Sequence, residues 1–556
     1  MRKFLLHHKV FYLLFLGLLL QACGVKKSLN DLPHKTELQK PLPKRIKIAA
    51  NHFQIGNNSL KKNDSGLWEL YVEGNPLERG YAIGSLSEEL IQKQERVFMD
   101  KIFEHVNSGS YQKFLSKIIA WYNRKLYLHV NEEFKEEIYG ISRYNLHTYD
   151  EFAKPYVRSL YLHGAHDIGH ALQDLMLVGC TSFAAWDEKT SDGQLLVGRN
   201  FDFYAGDQFS EEKIIAFINP TEGHKFMMYT WPGFIGAVSG MNEYGLTVTI
   251  NAGKSQIPLL AKTPISLVTR EILQYAKTID EAIEIAKRKE VFVSESIMVS
   301  SASDKKAILI EVSPNNFGIY EVENSNHLSC SNHFQSEAFA DDKRNLKTIA
   351  NSHTTARFNR MEKLIRQENK LTPTKAVEIL RDKKGVDGEK LGYGNELAIN
   401  QLLAHHSIIF KPEEKQVWVS TNPYQLGKYI AYDLDEVFSE TNNENKIWTI
   451  DSLTIQEDPF LNTEAYKKYE EFRSLKPEIE KAIQQKKDIS TEKLAHFIQL
   501  NPEFWETHFL VGKYYYEQKN YKKAIINFKQ ALRREVTTVP DRKMLKKYVK
   551  KSYRKL

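Results

Sequence analysis

A glycine–cysteine pair at the head of a predicted β-hairpin constrains this chain more than any other feature. Residues 181–186 read as a short strand, Ser191-Asp192-Gly193 as a turn, and a second strand follows. Cys180 leads the hairpin, and Arg199 and Asp202 lie at the end of its second strand. A thiol, a guanidinium and a carboxylate on one hairpin form a candidate catalytic arrangement.

Cleavage between Gly179 and Cys180 would give one residue both a thiol and a free α-amine. An α-amino group titrates at about 7.7–8.0 and a thiol at about 8.5, so proton transfer between them costs on the order of 1 kcal/mol. The amine can therefore act as the base for its own nucleophile. Before cleavage the same nitrogen is a non-basic amide, so the uncut chain is predicted to be inactive. Gly179 lacks Cβ, which predicts a strained scissile bond that assists self-cleavage.

Five regions in chain order carry a resemblance to one enzyme family. They resemble the N-terminal nucleophile hydrolases, which include choloylglycine (bile salt) hydrolases and penicillin acyltransferases. The closer likeness is to the acyl-coenzyme A:6-aminopenicillanic acid acyltransferase group. The regions are residues 74–84, the hairpin segments 179–182 and 198–202, residues 240–251, residues 331–334 and residues 356–360.

This resemblance implies an α+β fold, specifically a four-layer αββα sandwich, and a role for each site residue. Asn251 and Asn332 would build the oxyanion hole, and Arg357 would support the site. Arg199 and Asp202 would position the new amine and thiol and tune their pKa values. The alternative for Arg199 and Asp202 is an ordinary buried ion pair.

The implied reaction is attack of Cys180 on a linear amide to form a thioester. Water would then give an amidohydrolase and an amine an acyltransferase, and the sequence leaves both open. N-acyl amino acids or bile-salt-like conjugates are the expected substrates, with no cofactor. A third alternative is a non-catalytic envelope scaffold that binds partners through its helical repeats.

The amino terminus predicts export and lipid anchoring. Met1-Arg2-Lys3 precedes an apolar run at residues 10–20 that is too short to span a bilayer. Residues 20–23 resemble a lipobox, so residues 1–22 are interpreted as a signal peptide and Cys23 as the lipidated residue. The prediction is a membrane lipoprotein of the bacterial cell envelope. The alternative is an ordinary signal peptide that is cleaved elsewhere.

The remaining chain divides into four predicted parts. Residues 23–66 are polar and lysine-rich and predict a tether, and residues 67–179 form a pro-segment. After cleavage this light chain would stay bound non-covalently to the catalytic domain, residues 180–440. Residues 460–556 are helical.

Helices within these parts can be placed from sequence. In the pro-segment, a helix from about residue 85 to 105 follows the Gly-Asn-Pro turn. In the catalytic domain, helices are predicted at residues 264–276, 280–288, 355–366 and 373–381, between clusters of strands.

The carboxyl-terminal helices have the spacing of one tetratricopeptide-type helix pair. They would form either a surface for a protein partner or a structural cap. The residues at those offsets are Gly512, Tyr515, Tyr521, Ala524, Phe528 and Ala531.

Three further observations exclude other chemistry. Cys330 is interpreted as a small core residue, so no disulfide is expected. His163, His166 and His170 share a helical face, but no other ligand completes a metal site. A net charge of +7 is modest for 556 residues and does not predict nucleic-acid binding.

Overall fold

The computed structural model describes residues 24–34, 41–104, 109–164, 167, 177–256, 260–439 and 447–556. The predicted signal peptide, Cys23, His166 and His170 lie outside these residues. No helix in the described ranges is both long and apolar enough to cross a membrane.

The described residues form nineteen strands. In chain order they are β1 (Ile46–Ala49), β2 (His52–Ile55), β3 (Asn58–Lys62), β4 (Trp68–Gly74), β5 (Leu177–Val178), β6 (Thr181–Asp187), β7 (Gly193–Phe201), β8 (Phe203–Tyr204), β9 (Ile214–Pro220), β10 (Phe226–Thr230), β11 (Ser239–Asn242), β12 (Leu246–Ala252), β13 (Glu295–Ser301), β14 (Lys306–Ser313), β15 (Asn316–Tyr320), β16 (His327–Cys330), β17 (His406–Lys411), β18 (Gln416–Ser420) and β19 (Tyr429–Asp433).

Helices surround these strands and continue beyond them. The α-helices are α1 (Pro76–Leu86), α2 (Glu88–Glu104), α3 (Gly109–Tyr122), α4 (Glu132–Ser142), α5 (Pro155–His163), α6 (Ile265–Tyr275), α7 (Ile279–Lys287), α8 (Lys343–Asn351), α9 (Thr354–Gln367), α10 (Pro373–Leu380), α11 (Leu434–Val437), α12 (Glu464–Gln485), α13 (Thr491–Leu500), α14 (Trp505–Glu517), α15 (Tyr521–Leu532) and α16 (Val539–Tyr553).

The strands build two large sheets and one short ribbon. The eleven-stranded sheet has the order β1-β2-β3-β4-β9-β10-β11-β12-β13-β14-β15, and the six-stranded sheet has the order β16-β6-β7-β17-β18-β19. The ribbon pairs β5 with β8. Only β4 and β9 are parallel neighbours among the described strands. A parallel pair needs a crossover connection, and here it contains α1–α5 and the Cys180 hairpin.

Apolar side chains pack on both faces of each large sheet and form three cores. One core lies between the two sheets and includes Ala184, Val197, Phe217, Tyr229 and Ile408. A second core joins the other face of the eleven-stranded sheet to helices and includes Val72, Ile83, Ile138, Ile218 and Ile272. A third joins the other face of the six-stranded sheet to α9 and α10 and includes Phe183, Met361, Val377 and Ile409. The mixed α/β architecture with large sheets follows from this burial.

The prediction of a tether at residues 23–66 is wrong for residues 46–62, because this segment contains the strands β1, β2 and β3. Polar composition suggested a disordered segment, but Leu60 is buried in the core beneath the sheet. The lysines pack their charges on aromatic rings: Lys61 Nζ lies 4.2 Å from the ring centre of Trp448 and Lys62 Nζ 5.2 Å from that of Trp68. Lysine-rich strands can therefore extend this sheet.

The helix predicted from about residue 85 to 105 is confirmed as α2 (Glu88–Glu104), but a separate helix, α1, precedes it from Pro76. Asn75 Oδ1 accepts a hydrogen bond from Glu78 N at 3.1 Å, and Asn75 N donates to Glu78 Oε2 at 3.3 Å. This capping box, with proline at the first helical position, starts α1 inside the segment predicted as a turn.

The five carboxyl-terminal helices share a core with loops that precede them in the chain. Their buried side chains pack with Leu402, Tyr424 and Leu426. In α14, Gly512 lies so close to Phe528 of α15 that an added Cβ would come within 2.7 Å of its ring. These helices therefore bury their apolar faces against one another and against loops of the preceding sheets.

Candidate active site

The Gly179–Cys180 peptide lies between the short β5–β8 ribbon and the β6–β7 hairpin. Val178 pairs with Phe203 in the short ribbon, and Gly179 N donates to Asp202 O at 3.1 Å. Cys180 follows, and β6 begins at the next residue. The hairpin of β6 and β7 is antiparallel as predicted, with Ser182 opposite Arg199. The thiol-bearing residue is 1% exposed, so the junction is buried in the intact chain.

Glycine is required at position 179 because of a close approach. Gly179 is not among the residues with positive φ, so its backbone does not need left-handed freedom. An added Cβ would instead lie 2.5 Å from Nε2 of Gln401. The reason for glycine at this position is therefore the close approach of the Gln401 side chain, and not the backbone strain predicted from sequence.

Arg199 binds the thiol from within the site. Its guanidinium is fully buried and donates to Val238 O at 2.7 Å, to Ser239 Oγ and to Ile250 O. Nη2 also donates to Cys180 Sγ at 3.6 Å. Burial raises the pKa of the Cys180 thiol to about 11, although the positive charge of Arg199 opposes this rise. The thiol of the intact chain is therefore protonated near neutral pH.

Asp202 directly follows β7 and also lies beside the Gly179–Cys180 junction. Its Oδ2 accepts a hydrogen bond from Gln401 Nε2 at 3.3 Å. Burial raises the pKa of the Asp202 carboxyl to about 8, and the charges of Arg357 and Arg199 offset only part of that effect. Arg199 and Asp202 are both described and form no salt bridge, because the hydrogen bonds of Arg199 go to Cys180 and to the backbone and hydroxyl acceptors named above.

Arg357 joins Cys180 to Asn332. Its Nη1 donates to Cys180 O at 2.7 Å and to Thr181 Oγ1 at 2.8 Å. Its Nη2 donates to Asn332 Oδ1 at 2.6 Å. Since Arg357 lies in the first turns of α9, one helix fixes both the backbone of Cys180 and the orientation of the Asn332 amide.

The two predicted oxyanion-hole residues lie beside the first strand of the hairpin. Asn332 Nδ2 donates to Ala252 O at 2.9 Å. Asn251 Oδ1 accepts from Ser182 Oγ at 2.6 Å, and Asn251 Nδ2 lies 3.4 Å from Cys330 O. The structure thus brings both amides to the strand that Cys180 leads.

A histidine pair extends the site behind Arg199 and was missed from sequence. His406 Nε2 lies 2.9 Å from Ser239 Oγ, the hydroxyl that also accepts from Arg199. His405 Nδ1 lies 2.9 Å from His406 Nδ1. Burial lowers the pKa of both imidazoles well below its usual value, so both are neutral. His406 is the first residue of β17 and His405 directly precedes it, and no sequence signal distinguished the pair from the rest of that segment.

Cys330 and His163, to which the sequence analysis gave no catalytic role, pack within the folded core. Cys330 is a buried free thiol in the core between the sheets, and Cys180 is also free. His163 Nδ1 lies 2.8 Å from Ser159 O, and its Nε2 accepts from Ile235 N at 3.1 Å. Within the described ranges, no three or more His, Cys, Asp or Glu residues form a cluster that could hold a metal ion.

The raised pKa of Asp202 predicts a pH-dependent stability. Between about pH 4 and pH 8 the folded chain keeps a proton that the unfolded chain has lost. This contribution is complete below about pH 4 and is lost as pH rises toward 8, at up to about 1.4 kcal/mol per pH unit. In a Cys180→Ala background, which lacks the thiol expected to attack Gly179, Asp202→Asn should therefore raise the melting temperature at pH 8. The difference should shrink toward pH 4 when thermal unfolding is followed by circular dichroism.

The matched control is Asp435→Asn in the same background. Asp435 is an exposed carboxylate that pairs with Lys415. Its substitution should leave the melting temperature close to that of its parent, because an exposed ion pair contributes little to stability. A difference between Asp202→Asn and its parent that stays constant from pH 4 to pH 8 would contradict the assignment.

Part of this chain is similar in sequence to two curated proteins. It is 27% identical over 278 residues to an uncharacterized protein of Archaeoglobus fulgidus, covering 46% of this chain and 45% of that protein. It is 25% identical over 283 residues to "Protein dcd1B" of Dictyostelium discoideum, covering 46% and 52%. The chain therefore spans about half the length of the curated relatives it matches.

Solved structures and one family also resemble the chain. The Caenorhabditis elegans ortholog of N-acylethanolamine-hydrolyzing acid amidase is 19% identical, with coverage of 42% of this chain and 93% of that one and a TM-score of 0.31. A mutant conjugated bile acid hydrolase from Clostridium perfringens is 15% identical, with 49% and 96% coverage and a TM-score of 0.32. Residues 188–423, which contain all the predicted catalytic residues other than Cys180, match the model of the acyl-coenzyme A:6-aminopenicillanic acid acyl-transferase family.

Proposed function

We propose that this chain is a self-processing N-terminal nucleophile hydrolase that cleaves linear carbon–nitrogen amide bonds through a thioester on Cys180. The observation that carries the proposal is the clamped Gly179–Cys180 peptide. Gln401 donates to the carbonyl of Gly179, Arg357 donates to the carbonyl of Cys180, and Arg199 contacts the thiol. The match to an acyl-transferase family supports acyl chemistry at this site. The three buried cores support the four-layer αββα sandwich expected for such an enzyme.

In the mature enzyme, Cys180 supplies both nucleophile and base. Cleavage converts its amide nitrogen into an α-amine with an ordinary pKa of about 7.7–8.0, which can accept the thiol proton near neutral pH. The guanidinium of Arg199, 3.6 Å from Sγ, stabilises the thiolate as it forms. The amine then returns the proton to the leaving amine of the substrate.

Asn251 and Asn332 are assigned to the oxyanion of the tetrahedral intermediate. Their side-chain amides flank the first hairpin strand, and Arg357 accounts for the Oδ1 of Asn332, which leaves its Nδ2 as the donor end. A preorganised donor of this kind is worth about 10²–10³ in rate. Asp202 completes the site: its carboxyl accepts a hydrogen bond from Gln401, and its backbone oxygen accepts one from Gly179 N.

Acyl transfer to an amine is the second candidate, because the matched family is described as an acyl-transferase. Both reactions share the thioester and differ only in the acceptor. Product analysis on a panel of N-acyl amino acids, with and without an added acceptor amine, separates them. Hydrolysis remains the favoured reaction because a cell-envelope protein has little access to coenzyme A thioesters.

Lipid attachment at Cys23 and a location in the bacterial cell envelope remain part of the proposal. The lipid would then be on the light chain and the nucleophile on the fragment that begins at Cys180. For the tetratricopeptide-like helices, the core shared with Leu402, Tyr424 and Leu426 favours the structural-cap interpretation over a partner surface.

One experiment tests processing and anchoring together. Membranes from cells that express the full chain are washed with denaturant, and each fraction is resolved on a denaturing gel and by mass spectrometry. We expect two fragments, with a new terminus at Cys180, and release of the 180–556 fragment while the light chain stays in the membrane. A folded chain that is intact at this junction yet hydrolyses N-acyl amino acids would refute the proposed function.

A further inference from the structure

The loop of residues 391–402 connects the scissile peptide to the carboxyl-terminal helices. Near its end, Gln401 is 2% exposed, and its Nε2 lies 3.4 Å from Gly179 O and 3.3 Å from Asp202 Oδ2. Gln401 is therefore a buried amide donor whose proton faces the carbonyl of the bond to be cut.

The carboxyl-terminal helices hold the first half of this loop by its backbone and by close packing. Asn501 Oδ1 accepts from Tyr393 N at 3.1 Å, and Asn501 Nδ2 donates to Tyr393 O at 2.8 Å. Gly392 lies so near Phe504 that an added Cβ would come within 2.3 Å of its backbone nitrogen. This half of the loop therefore has little freedom to shift relative to α13 and α14.

A second pair of hydrogen bonds holds the middle of the loop. Asn395 Nδ2 donates to Glu535 O at 3.0 Å, and Thr537 Oγ1 donates to Asn395 Oδ1 at 3.1 Å. Both partners belong to the connection between α15 and α16. The buried side chain of Asn395 thus ties the loop to the last two helices.

The residues on either side of Gln401 are fixed as well. Asn400 N donates to Asp382 O at 2.8 Å, and Leu402 N donates to Asn400 Oδ1 at 2.9 Å. Leu402 has φ of +55° and is buried in the core of the carboxyl-terminal helices. A non-glycine residue in this left-handed region is costly and persists only when the surrounding packing imposes it.

We propose that Gln401 donates to the oxyanion that forms on Gly179 during self-cleavage, and that the carboxyl-terminal helices hold it in place for this step. The inference rests on the proposed function. It assigns to Gln401 a role in maturation, and to the helices a role in the same step.

The bond changes define when Gln401 acts. Cys180 Sγ adds to the carbonyl carbon of Gly179, and the oxygen becomes negatively charged. The carbon–nitrogen bond then breaks as the thiol proton passes to the nitrogen, which leaves a thioester between Gly179 and Cys180 Sγ. Water hydrolyses this thioester to the Gly179 carboxylate and regenerates the thiol beside the new α-amine.

The long ground-state contact suits this role. An N–H···O bond is usually 2.9–3.0 Å long, so a separation of 3.4 Å contributes little to the intact peptide. A hydrogen bond to an oxyanion is shorter and stronger, so the contact gains most of its energy in the transition state. The absence of Cβ at Gly179 is what allows Gln401 to approach the carbonyl.

The first test compares Gln401→Leu with Gln94→Leu. Gln94 is also a buried glutamine with an Nε2 near a backbone carbonyl, at 3.5 Å from Phe209 O, but it does not contact the junction. Pulse-labelled full-length chains are followed on denaturing gels. We expect self-cleavage of Gln401→Leu to be about 10²-fold slower than wild type, and cleavage of Gln94→Leu to match wild type.

A second readout separates this role from simple misfolding. Because Gln401 also donates to Asp202, the readout is the fold of the intact chain and not amide turnover: uncleaved Gln401→Leu should show a melting curve close to that of Cys180→Ala, which also stays intact. Cleavage of Gln401→Leu at the wild-type rate would overturn the inference while leaving the proposed function standing. A wild-type chain that never cleaves would overturn both.

The contribution of the helices is tested at a distance from the junction. Asn501→Ala removes both hydrogen bonds to Tyr393 and should slow self-cleavage about tenfold, with the fold checked by its melting curve. Asn527→Ala on α15 is the control, because the Asn527 side chain donates to Lys523 O of its own helix and, among the described residues, makes no hydrogen bond to the 391–402 loop. If both variants cleave at the wild-type rate, the proposed role of the helices is refuted.

Discussion

Replacing Cys180 by alanine is expected to leave a full-length chain and to lower amide hydrolysis by roughly 10⁶-fold, the loss seen when a catalytic nucleophile is removed. In the proposed mechanism this variant lacks the sulfur that would attack Gly179, so no α-amine would be released and no base would form. Denaturing gels and product analysis on N-acyl amino acids measure the two effects separately.

Cys330→Ala is the matched control for this substitution. Cys330 is the other free, buried thiol among the described residues, and it lies opposite Ser182 in the neighbouring strand. Its removal should leave self-cleavage intact, because the side chain fills the core between the sheets. A Cys180→Ala protein that is processed and active would disprove the assignment of the nucleophile.

The sequence predicted the site best where the geometry is local. The β6–β7 hairpin follows from alternation and a turn, and its register alone places Arg199 opposite Ser182 and near the thiol. Arg357 lies 177 residues from Cys180, and only the family resemblance indicated that it belongs to the site.

The residues that sequence missed depend on long-range packing. Gln401 meets Gly179 across 222 positions, and His406 meets Ser239 across 167. Neither contact follows from a strand or helix period, because each depends on how a loop is held against a second element. The strands in residues 46–62 were missed for a related reason: their lysines find aromatic partners that only the folded chain supplies.

Arg357→Lys is expected to lower the turnover of the processed enzyme by about 10²–10³-fold, mainly in kcat. Lysine keeps the positive charge but lacks the planar fork that binds Cys180 O, Thr181 Oγ1 and Asn332 Oδ1 together. Without this fork the Asn332 amide is no longer oriented, and loss of one oxyanion donor has an effect of this size. Initial rates on N-acyl amino acids, normalised to the cleaved fraction, measure it.

Arg360→Lys provides the control within the same helix. Arg360 is also largely buried, but it binds Asp382 at 2.8–2.9 Å and does not contact the site. A double-mutant cycle then distinguishes orientation of Asn332 from general destabilisation. If Arg357 acts through Asn332, the rate loss of the double variant Arg357→Lys/Asn332→Ala should be far smaller than the product of the two single rate losses. The reason is that the same oxyanion donor cannot be lost twice. Fully multiplicative losses would mean that Arg357 supports catalysis by another route, through the backbone of Cys180 alone.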